Sequence, residues 1–233
     1  MEKQYDYETR FDELNKGIDT TFKTVMEPFI YGNISDYIKK NGVNIDILDV
    51  GCGCGYLTAS IAKKFPESKV EGIDISESAI ACARSHFDIK FNKQDILDFD
   101  ENKKVDVVVY NMVLHNIQDL DKTIQKTSSI LKPKGIVIIT VPHPAFWLPN
   151  KAFRGVIDLD GSFNYNLEVP YQIPFRIENG FQHKTKLTYH HRRLSTYINI
   201  FSKYLRFIKF EEMDSKNIYP TFLMIVLEND RLI

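Results

Sequence analysis

The sequence has little of what marks several protein classes. Only three cysteines occur among its 233 residues, and Cys52 and Cys54 are separated by a single residue. This count and spacing argue against a disulfide framework and for a reducing, cytoplasmic setting. A metal site would need further cysteine or histidine at ligand spacing, and we find none near this pair, so no metal is expected. Cys82 is expected to be a core residue of a helix.

Long apolar runs and an excess of basic charge are also missing. The longest apolar run, 136–141, is far below the ~18–20 residues that cross a bilayer, and the polar N-terminus has no signal-peptide core. The chain carries 30 basic and 31 acidic residues, for a formal charge of −1, whereas a dedicated nucleic-acid binder shows a basic excess. We therefore expect neither a membrane nor a nucleic acid as partner.

Hydrophobic periodicity predicts helices and strands in alternation, which favours a parallel sheet covered on both faces. Gly42 is a plausible end for the first helix, and Ser76 a plausible N-cap for the third. The last two strands are joined by a short connection and are expected to pair antiparallel. Helices are predicted at 20–41, 57–65, 76–85, 120–131 and 195–204, and strands at 45–50, 70–73, 89–91, 105–110, 136–141, 207–211 and 222–227.

The alternation stops after Val141. Residues 142–190 hold five of the nine prolines and many aromatic residues, and we interpret them as an irregular insertion or lid. A single domain is expected, with a helical segment at 1–44, a ligand-binding core at 45–141, this insertion, and a C-terminal helix and strands at 191–233.

The most informative segment is the glycine loop that follows the first strand, Gly51-Cys52-Gly53-Cys54-Gly55. Such a loop lets a ligand approach the backbone closely and presents unpaired N–H groups at a helix N-terminus. The dinucleotide fingerprint would need glycine where Tyr56 stands, and the phosphate loop's Gly-Lys-Ser/Thr is absent. Asp49, two residues before the loop, suits a ligand with a cationic amine.

Two further carboxylates close the next strands. Asp74 ends the second strand, where a carboxylate can accept hydrogen bonds from both ribose hydroxyls. Asp95 ends the third, where it can accept from an adenine amino group while Ile96 packs against the ring. Three acidic strand ends beside a glycine loop therefore predict a nucleoside ligand with an amine.

These segments resemble the motifs of the class I S-adenosylmethionine methyltransferases. The resemblance covers about residues 45–141, and the matching segments are 47–55, 72–76, 95–96, 106–109 and 131–135. It implies a Rossmann-like, doubly wound α/β fold, with a mostly parallel seven-stranded sheet and an antiparallel strand near the C-terminus. It also implies S-adenosylmethionine as cofactor, with S-adenosylhomocysteine as product. Cys54 is a mild departure, since this position is often Thr, Ser or acidic.

The same resemblance assigns roles to single residues. Gly51 and Gly53 would lie against the methionine part, and Asn111 would face its carboxypropyl group. Asp74 and Ile75 would hold the ribose and adenine, and Asp95 and Ile96 the adenine. The full set of expected cofactor-binding residues is Asp49, Gly51, Cys52, Gly53, Asp74, Ile75, Asp95, Ile96, Asn111 and Met112.

Two nucleic-acid acceptors can be tested against the sequence. Amino-methylating DNA enzymes carry Asn/Asp-Pro-Pro-aromatic after the fourth strand, but this chain has Asn111-Met112-Val113-Leu114. Cytosine C5 methylation needs a Pro-Cys nucleophile, and no cysteine follows Cys82. Residues 110–116, 142–144 and 189–197 instead resemble a bacterial branch that methylates small molecules. The aromatic insertion then becomes the expected pocket for an aromatic or apolar acceptor. The enzyme is expected to be a monomer or homodimer.

A general base is needed only where the acceptor must lose a proton, and histidine suits this role near neutral pH. The candidates are His115, His143 and His191, the last paired with His190. Each has a plainer alternative: packing for His115, turn stabilisation for His143, and an outward orientation for one of the adjacent pair.

Several other roles stay open from the sequence. Arg192 and Arg193 could bind an acceptor carboxylate or form a solvated face with one salt bridge. One of the N-terminal aromatic residues Tyr5, Tyr7 and Phe11 could close over the cofactor. A peptide or RNA acceptor, or a non-catalytic role in binding S-adenosylmethionine, are the alternatives to small-molecule methylation.

Overall fold

A computed structural model describes residues 21–149, 163–176, 182–213 and 219–230. A π-helical turn, Phe22–Met26, leads into the first helix. The helices are α1 (Glu27–Asn41), α2 (Tyr56–Lys64), α3 (Glu77–His86), α4 (Leu120–Ile130) and α5 (Leu194–Tyr204). The strands are β1 (Asp46–Val50), β2 (Lys69–Asp74), β3 (Lys90–Lys93), β4 (Val105–Asn111), β5 (Leu131–Pro142), β6 (Pro170–Arg176), β7 (Gln182–His190), β8 (Arg206–Met213) and β9 (Phe222–Glu228).

Seven strands form one sheet in the order β3-β2-β1-β4-β5-β9-β8. Strands β1 to β5 are parallel, and β9 runs antiparallel to both of its neighbours. The predicted doubly wound sheet with its antiparallel C-terminal strand is confirmed. The strand order reverses between β1 and β4, and a ligand crevice opens at the carboxyl ends of the strands where such a reversal occurs.

Strand β4 shows why the sheet is buried on both faces. Every residue from Val105 to Tyr110 is buried, and successive side chains point to opposite faces. Val107 and Val109 pack with α1 and α2, while Val108 and Tyr110 pack with α4 and α5. The run of β-branched residues therefore joins two hydrophobic layers across one sheet.

The ends of the first and third helices follow local sequence signals. Gly42 ends α1 with a φ of 93°, a left-handed value that glycine adopts readily. Ser76 Oγ accepts a hydrogen bond from the backbone N–H of Ala79, which confirms the predicted N-cap of α3. Pro28 lies in the first turn of α1, where its missing N–H costs no helical hydrogen bond.

Two elements differ from the sequence prediction. Strand β5 starts at Leu131 rather than at residue 136, because Asn229 ties this segment to the sheet. Its backbone bonds Lys134 and Gly135, and its side-chain amide bonds the carbonyls of Leu131 and Lys132. The first residues of β5 have the composition of a turn, and their backbone is irregular: Lys134 has a φ of 62°, and the register with β4 shifts between Val105 and Val107.

The prediction of an irregular insertion at 142–190 is wrong in part. Strands β6 and β7 pair antiparallel as a separate two-stranded sheet. Pro170 and Pro174 discouraged a strand assignment, yet proline is tolerated in edge strands, and both strands of a two-stranded sheet are edges. Around this hairpin, Leu148, Ile173 and Tyr189 form a small core of their own.

The cysteines also differ from expectation. The sequence argued against a disulfide framework, but the structure pairs Cys54 with Cys82 and leaves Cys52 free. His86 lies beside the pair, so the statement that no further ligand-type residue is near the glycine loop is wrong. The cluster is not apparent in the sequence because Cys54 and Cys82 are 28 residues apart, with β2 between them. Cys82 is buried, as predicted.

Across the described ranges, no helix is both long enough and apolar enough to cross a bilayer.

Candidate functional site

The glycine loop lies at the carboxyl end of β1, against the end of β2. The backbone N–H groups of Gly51 and Cys52 both donate to the carbonyl of Ile73, at 2.8 and 3.0 Å. Gly51, Gly53 and Gly55 have φ values of 71°, 55° and 77°, which residues other than glycine rarely adopt. The loop is thus a tight turn whose shape requires its glycines.

Asp49 lies beneath this loop and is buried, with 2% of its surface exposed. Its Oδ2 accepts a hydrogen bond from Thr58 Oγ1 at 2.6 Å. Burial raises the pKa of Asp49 to about 7, although the bond from Thr58 opposes the shift and the Asp74 carboxylate adds to it. A cationic amine nearby would favour the charged carboxylate, so Asp49 is suited to recognise one.

Asp74 closes β2 on the other side of the loop. Its Oδ2 accepts from the N–H of Gly53 at 3.0 Å and its Oδ1 from the N–H of Ser76 at 2.9 Å. Burial raises the pKa of Asp74, and these backbone bonds limit the rise. The carboxylate therefore has a fixed position and joins the glycine loop to the start of α3.

The residues expected around adenine differ in exposure. Ile75 is 71% exposed directly after Asp74, which is unusual for a large apolar side chain and leaves it able to pack against a ligand. Asp95 is exposed, and its Oδ1 accepts from the N–H of Leu97 in a short 3₁₀ turn. Ile96 is 4% exposed and packs in the main core. Its contact with adenine stays a prediction.

The end of β4 connects the glycine loop with the second half of the site. Asn111 Oδ1 accepts from Thr140 Oγ1 at 2.6 Å, and Met112 turns the chain with a φ of 57°. The next residue, Val113, packs against Gly51: a Cβ added at position 51 would lie 2.5 Å from Val113 Cγ2. A side chain at position 51 would push the two segments apart.

His115 follows in the 3₁₀ turn Leu114–Asn116. It is 6% exposed and packs against the rings of Tyr189 and Trp147, with centroid separations of 5.5 and 6.5 Å. Burial lowers the pKa of His115 to about 3, with help from the charge of Arg192. Its Nδ1 has no hydrogen-bond partner among the described residues. The ring is therefore neutral near pH 7, with an unused polar atom.

Arg192 holds the turn that carries His115. Its guanidinium donates to the carbonyls of Leu114 at 3.3 Å and Gln118 at 2.9 Å, and also to that of Ile117. Arg193 pairs with Glu168. These bonds leave Arg192 as an internal clamp and Arg193 in a surface ion pair, so the alternative of acceptor-binding arginines is not supported.

His143 lies at the same sheet edge as this turn but contacts the C-terminal strands. Its Nδ1 accepts from the N–H of Ala145 at 3.2 Å, so its Nε2–H donates to Glu212 Oε1 at 2.8 Å. Its ring stacks on Phe146. The turn-stabilising alternative is therefore one of its roles.

His191 lies in the aromatic insertion. Its Nε2 is 2.9 Å from the carbonyl of Tyr165, to which it donates. Phe163, Tyr165 and Tyr171 surround it edge-on, and burial lowers its pKa. Each of the three candidate histidines thus has a structural environment of its own, and only His115 follows directly from the end of β4.

Sequence reasoning missed the clamp of Arg192 and the stack of Trp147 on Tyr189, whose centroids are 5.5 Å apart. Both depend on contacts between distant segments, and periodicity carries no signal for either. The N-terminal aromatic residues Tyr5, Tyr7 and Phe11 lie outside the described residues.

Comparison with known proteins bears on this geometry. A family model described as a methyltransferase domain matches residues 41–185. A malonyl-[acyl-carrier protein] O-methyltransferase of Acetivibrio thermocellus is 36% identical over 106 residues, 44% of this chain and 38% of that protein. A ribosomal protein L11 methyltransferase of Dictyoglomus turgidum is 36% identical over 112 residues, 46% of this chain and 35% of that protein. The chain thus spans well under half the length of these curated relatives.

A solved structure of the plantazolicin methyltransferase BpumL, in complex with a triazolic desmethylPZN analogue and S-adenosylhomocysteine, shares the fold. It has a TM-score of 0.64 and 16% identity, covering 97% of this chain and 93% of that one. The family model matches more than half of the chain. The chain belongs to the methyltransferase domain family, as the glycine loop and the acidic strand ends predict, and S-adenosylmethionine is the cofactor of this class.

Proposed function

We propose that this protein transfers a methyl group from S-adenosylmethionine to an oxygen or nitrogen atom of a small organic acceptor, releasing S-adenosylhomocysteine. The observation that carries the proposal is the contact between Gly51 and Val113. It places the glycine loop beside the segment that continues into His115 and its aromatic neighbours. The proposed cofactor site and the aromatic cluster would thus lie at the same edge of the sheet.

The cofactor would lie across the carboxyl ends of β1, β2 and β4. Asp49 would face its amine, Gly51, Cys52 and Gly53 would line its methionine part, and Asn111 and Met112 would border the same part from β4. Asp74 and Ile75 would hold the ribose and adenine, with Asp95 and Ile96 at the adenine end. Buried Asp49 and Asp74 and the exposed Ile75 fit such a nucleoside with an amine.

The cofactor supplies a methyl group on a sulfonium, which is already an activated leaving group. What remains for the chain is to place an acceptor in line with that methyl and to exclude water. Orientation alone can account for roughly 7–11 kcal/mol of such a barrier. Trp147 is partly exposed and lies over the buried rings of Tyr189 and His115, so it would offer an aromatic face to a flat or apolar acceptor.

Among the histidines, His115 is the one we place against the acceptor. Its neutral ring and unpartnered Nδ1 suit it to accept a hydrogen bond from an acceptor hydroxyl or amine and to orient that group. His143 and His191 are retained as candidate bases from the sequence. We further propose a cytoplasmic monomer or homodimer, as one domain in which residues 142–190 select the acceptor.

The test combines binding and turnover. Isothermal titration should show S-adenosylhomocysteine binding. Incubation with cofactor carrying a deuterated methyl should then label members of a panel of aromatic and apolar hydroxy, carboxy and amino compounds. An acyl-carrier protein and a ribosomal protein are tested in the same assay as macromolecular acceptors, because the names of the relatives include them. No binding at millimolar ligand would refute the proposal. Labelling of a macromolecule alone would favour that alternative, and binding without any labelling would favour a non-catalytic binder.

A further inference from the structure

The paired cysteines lie outside every role assigned above. Cys54 and Cys82 are 28 positions apart in sequence, and their Cα atoms are 5.1 Å apart. This separation lies within the usual 4.4–6.8 Å of disulfides. Cys54 is 6% exposed and Cys82 is 3% exposed. Two buried sulfur atoms held together by the fold form a bond with little rearrangement.

The position of the pair gives it a consequence. Cys54 belongs to the glycine loop, and Cys82 lies in the middle of α3. The segment between them contains β2 and Asp74. A bond between the two sulfurs therefore closes a covalent loop that includes Asp74, the carboxylate proposed to hold the ribose. Asp74 already bonds to Gly53 in that loop. Joining the cysteines therefore fixes the loop against the element that carries its partner.

The surroundings of Cys82 favour its reaction. His86 lies one helical turn further along α3, and its Nδ1 is 3.9 Å from Cys82 Sγ. The same nitrogen is 2.9 Å from the carbonyl of Cys82 and 3.0 Å from Ser85 Oγ. These contacts hold the imidazole beside the sulfur, where the ring can exchange a proton with Cys82. Tyr56 and Phe87 pack around the two sulfurs, which shields them from bulky oxidants.

We propose that Cys54 and Cys82 form a reversible disulfide, driven by hydrogen peroxide, that clamps the glycine loop. The Cys82 thiolate attacks peroxide: an S–O bond forms, the O–O bond breaks, and the departing hydroxide takes up a proton to become water. The Cys54 thiolate then attacks that sulfur: the S–S bond forms, the S–O bond breaks, and the departing hydroxide takes up the proton that the Cys54 thiol released to become a second water. Two thiols and one peroxide give one disulfide and two waters, and a dithiol reductant reverses the change.

The oxidised form is the more stable one, because the cross-link restricts the unfolded chain. A loop of this length raises the thermal midpoint of a domain of this size by roughly 5–10 °C. The oxidised form also binds S-adenosylhomocysteine about three- to tenfold more tightly, because the loop is preorganised. This second effect rests on the proposed function, whereas formation of the disulfide does not.

The experiment treats the reduced protein with peroxide and measures intact mass, thermal midpoint and S-adenosylhomocysteine affinity, for the wild type and for Cys54→Ser, Cys82→Ser and Cys52→Ser. The free thiol Cys52 is the matched control in the same loop. The wild type and Cys52→Ser should lose the mass of two hydrogens and gain stability, and the gain in affinity is read from the wild type alone, because Cys52 itself would line the cofactor site. The other two variants should show neither change, and a reductant should reverse both.

The outcomes separate the two proposals. The disulfide is overturned if the wild type does not lose the mass of two hydrogens, or if Cys52→Ser fails to lose it. So does stoichiometric zinc uptake by the reduced protein that blocks oxidation, since Cys54, Cys82 and His86 would then be a metal site. Equal ligand affinity in both forms overturns the clamp. A disulfide that stabilises a protein with no affinity for S-adenosylhomocysteine supports the modification site and refutes the proposed function.

Discussion

The two halves of the site are built in different ways. The proposed cofactor half, around Asp49, Asp74 and the glycine loop, is held by hydrogen bonds among the ends of β1 and β2, the loop and the first turn of α2. The proposed acceptor half, around His115, is held by ring packing and by the hydrogen bonds of Arg192, which comes from a distant part of the chain. Short-range backbone geometry fixes the first half, and long-range contacts fix the second.

The two halves disfavour charge through opposite protonation states. Burial favours the protonated, neutral form of Asp49 and the deprotonated, neutral form of His115. Both sites exclude charge, yet one does so by keeping a proton and the other by giving one up. A change of pH or of a single residue should therefore act on the two halves separately.

The largest expected effect is on the cofactor half. Asp74→Asn replaces a carboxylate that accepts from Gly53 and Ser76 and is proposed to accept from the ribose. Affinity for S-adenosylhomocysteine should fall roughly 30- to 100-fold, or about 2–3 kcal/mol, as for lost hydrogen bonds to a charged group. Isothermal titration measures it directly.

Glu77→Gln is the matched control, because Glu77 lies three residues further along the chain and is exposed in an ion pair with Lys93. Its affinity should stay within about twofold of the wild type, since exposed ion pairs contribute about 0–1 kcal/mol. Equal losses in both variants would show a general effect of charge and would remove Asp74 from the ribose site.

The next effect should be confined to the acceptor half. Arg192→Lys cannot reproduce the planar grip on the carbonyls of Leu114, Ile117 and Gln118. We expect the free energy of unfolding to fall by about 2 kcal/mol and turnover to fall about tenfold. Affinity for S-adenosylhomocysteine should stay within twofold. Arg193→Lys, at an exposed ion pair, should change stability by no more than about 0.5 kcal/mol. A similar loss of stability in both variants would contradict the role of Arg192 in holding the turn that carries His115.

This contrast explains what could be predicted from the sequence. Asp49, Gly51 and Asp74 lie at strand ends, where periodicity and turn chemistry place them without knowledge of the tertiary fold. The clamp of Arg192 depends on residues more than 70 positions away, and the Cys54–Cys82 pair depends on β2 passing between its members. The hairpin β6–β7 was missed for a related reason, since its prolines are compatible with a strand only at an edge.

A third effect concerns the pH dependence of stability. His115 has a pKa of about 3 in the folded state and about 6.5 when unfolded. Between these values the unfolded chain binds a proton that the folded chain lacks, so His115 makes stability fall as the pH drops below 6.5. At pH 5 this amounts to about 2 kcal/mol. Denaturant melts of wild type and His115→Gln at pH 5 and 8 should show that loss only in the wild type.

The measurement at pH 8 is its own control, because His115 is then neutral in both states and any difference reflects packing alone. An identical loss of stability in the two proteins would show that the histidine is not held neutral by burial. The packing of Tyr189 against this ring would then have no electrostatic consequence.

The smallest effect returns to the cofactor half with the opposite sign. The pKa of Asp49 is about 7 in the folded state and about 3.9 when unfolded. The folded chain therefore keeps a proton that the unfolded chain loses, and this contribution to stability decreases as the pH rises through that window. A bound amine would reverse the preference, because it stabilises the ionised carboxylate. Affinity for S-adenosylhomocysteine should thus rise about tenfold from pH 6 to pH 8, as the ionised fraction of a group with pKa 7 rises about tenfold. Asp49→Asn should bind more weakly and without this pH dependence, and an equal rise in the variant would assign the titration to another group.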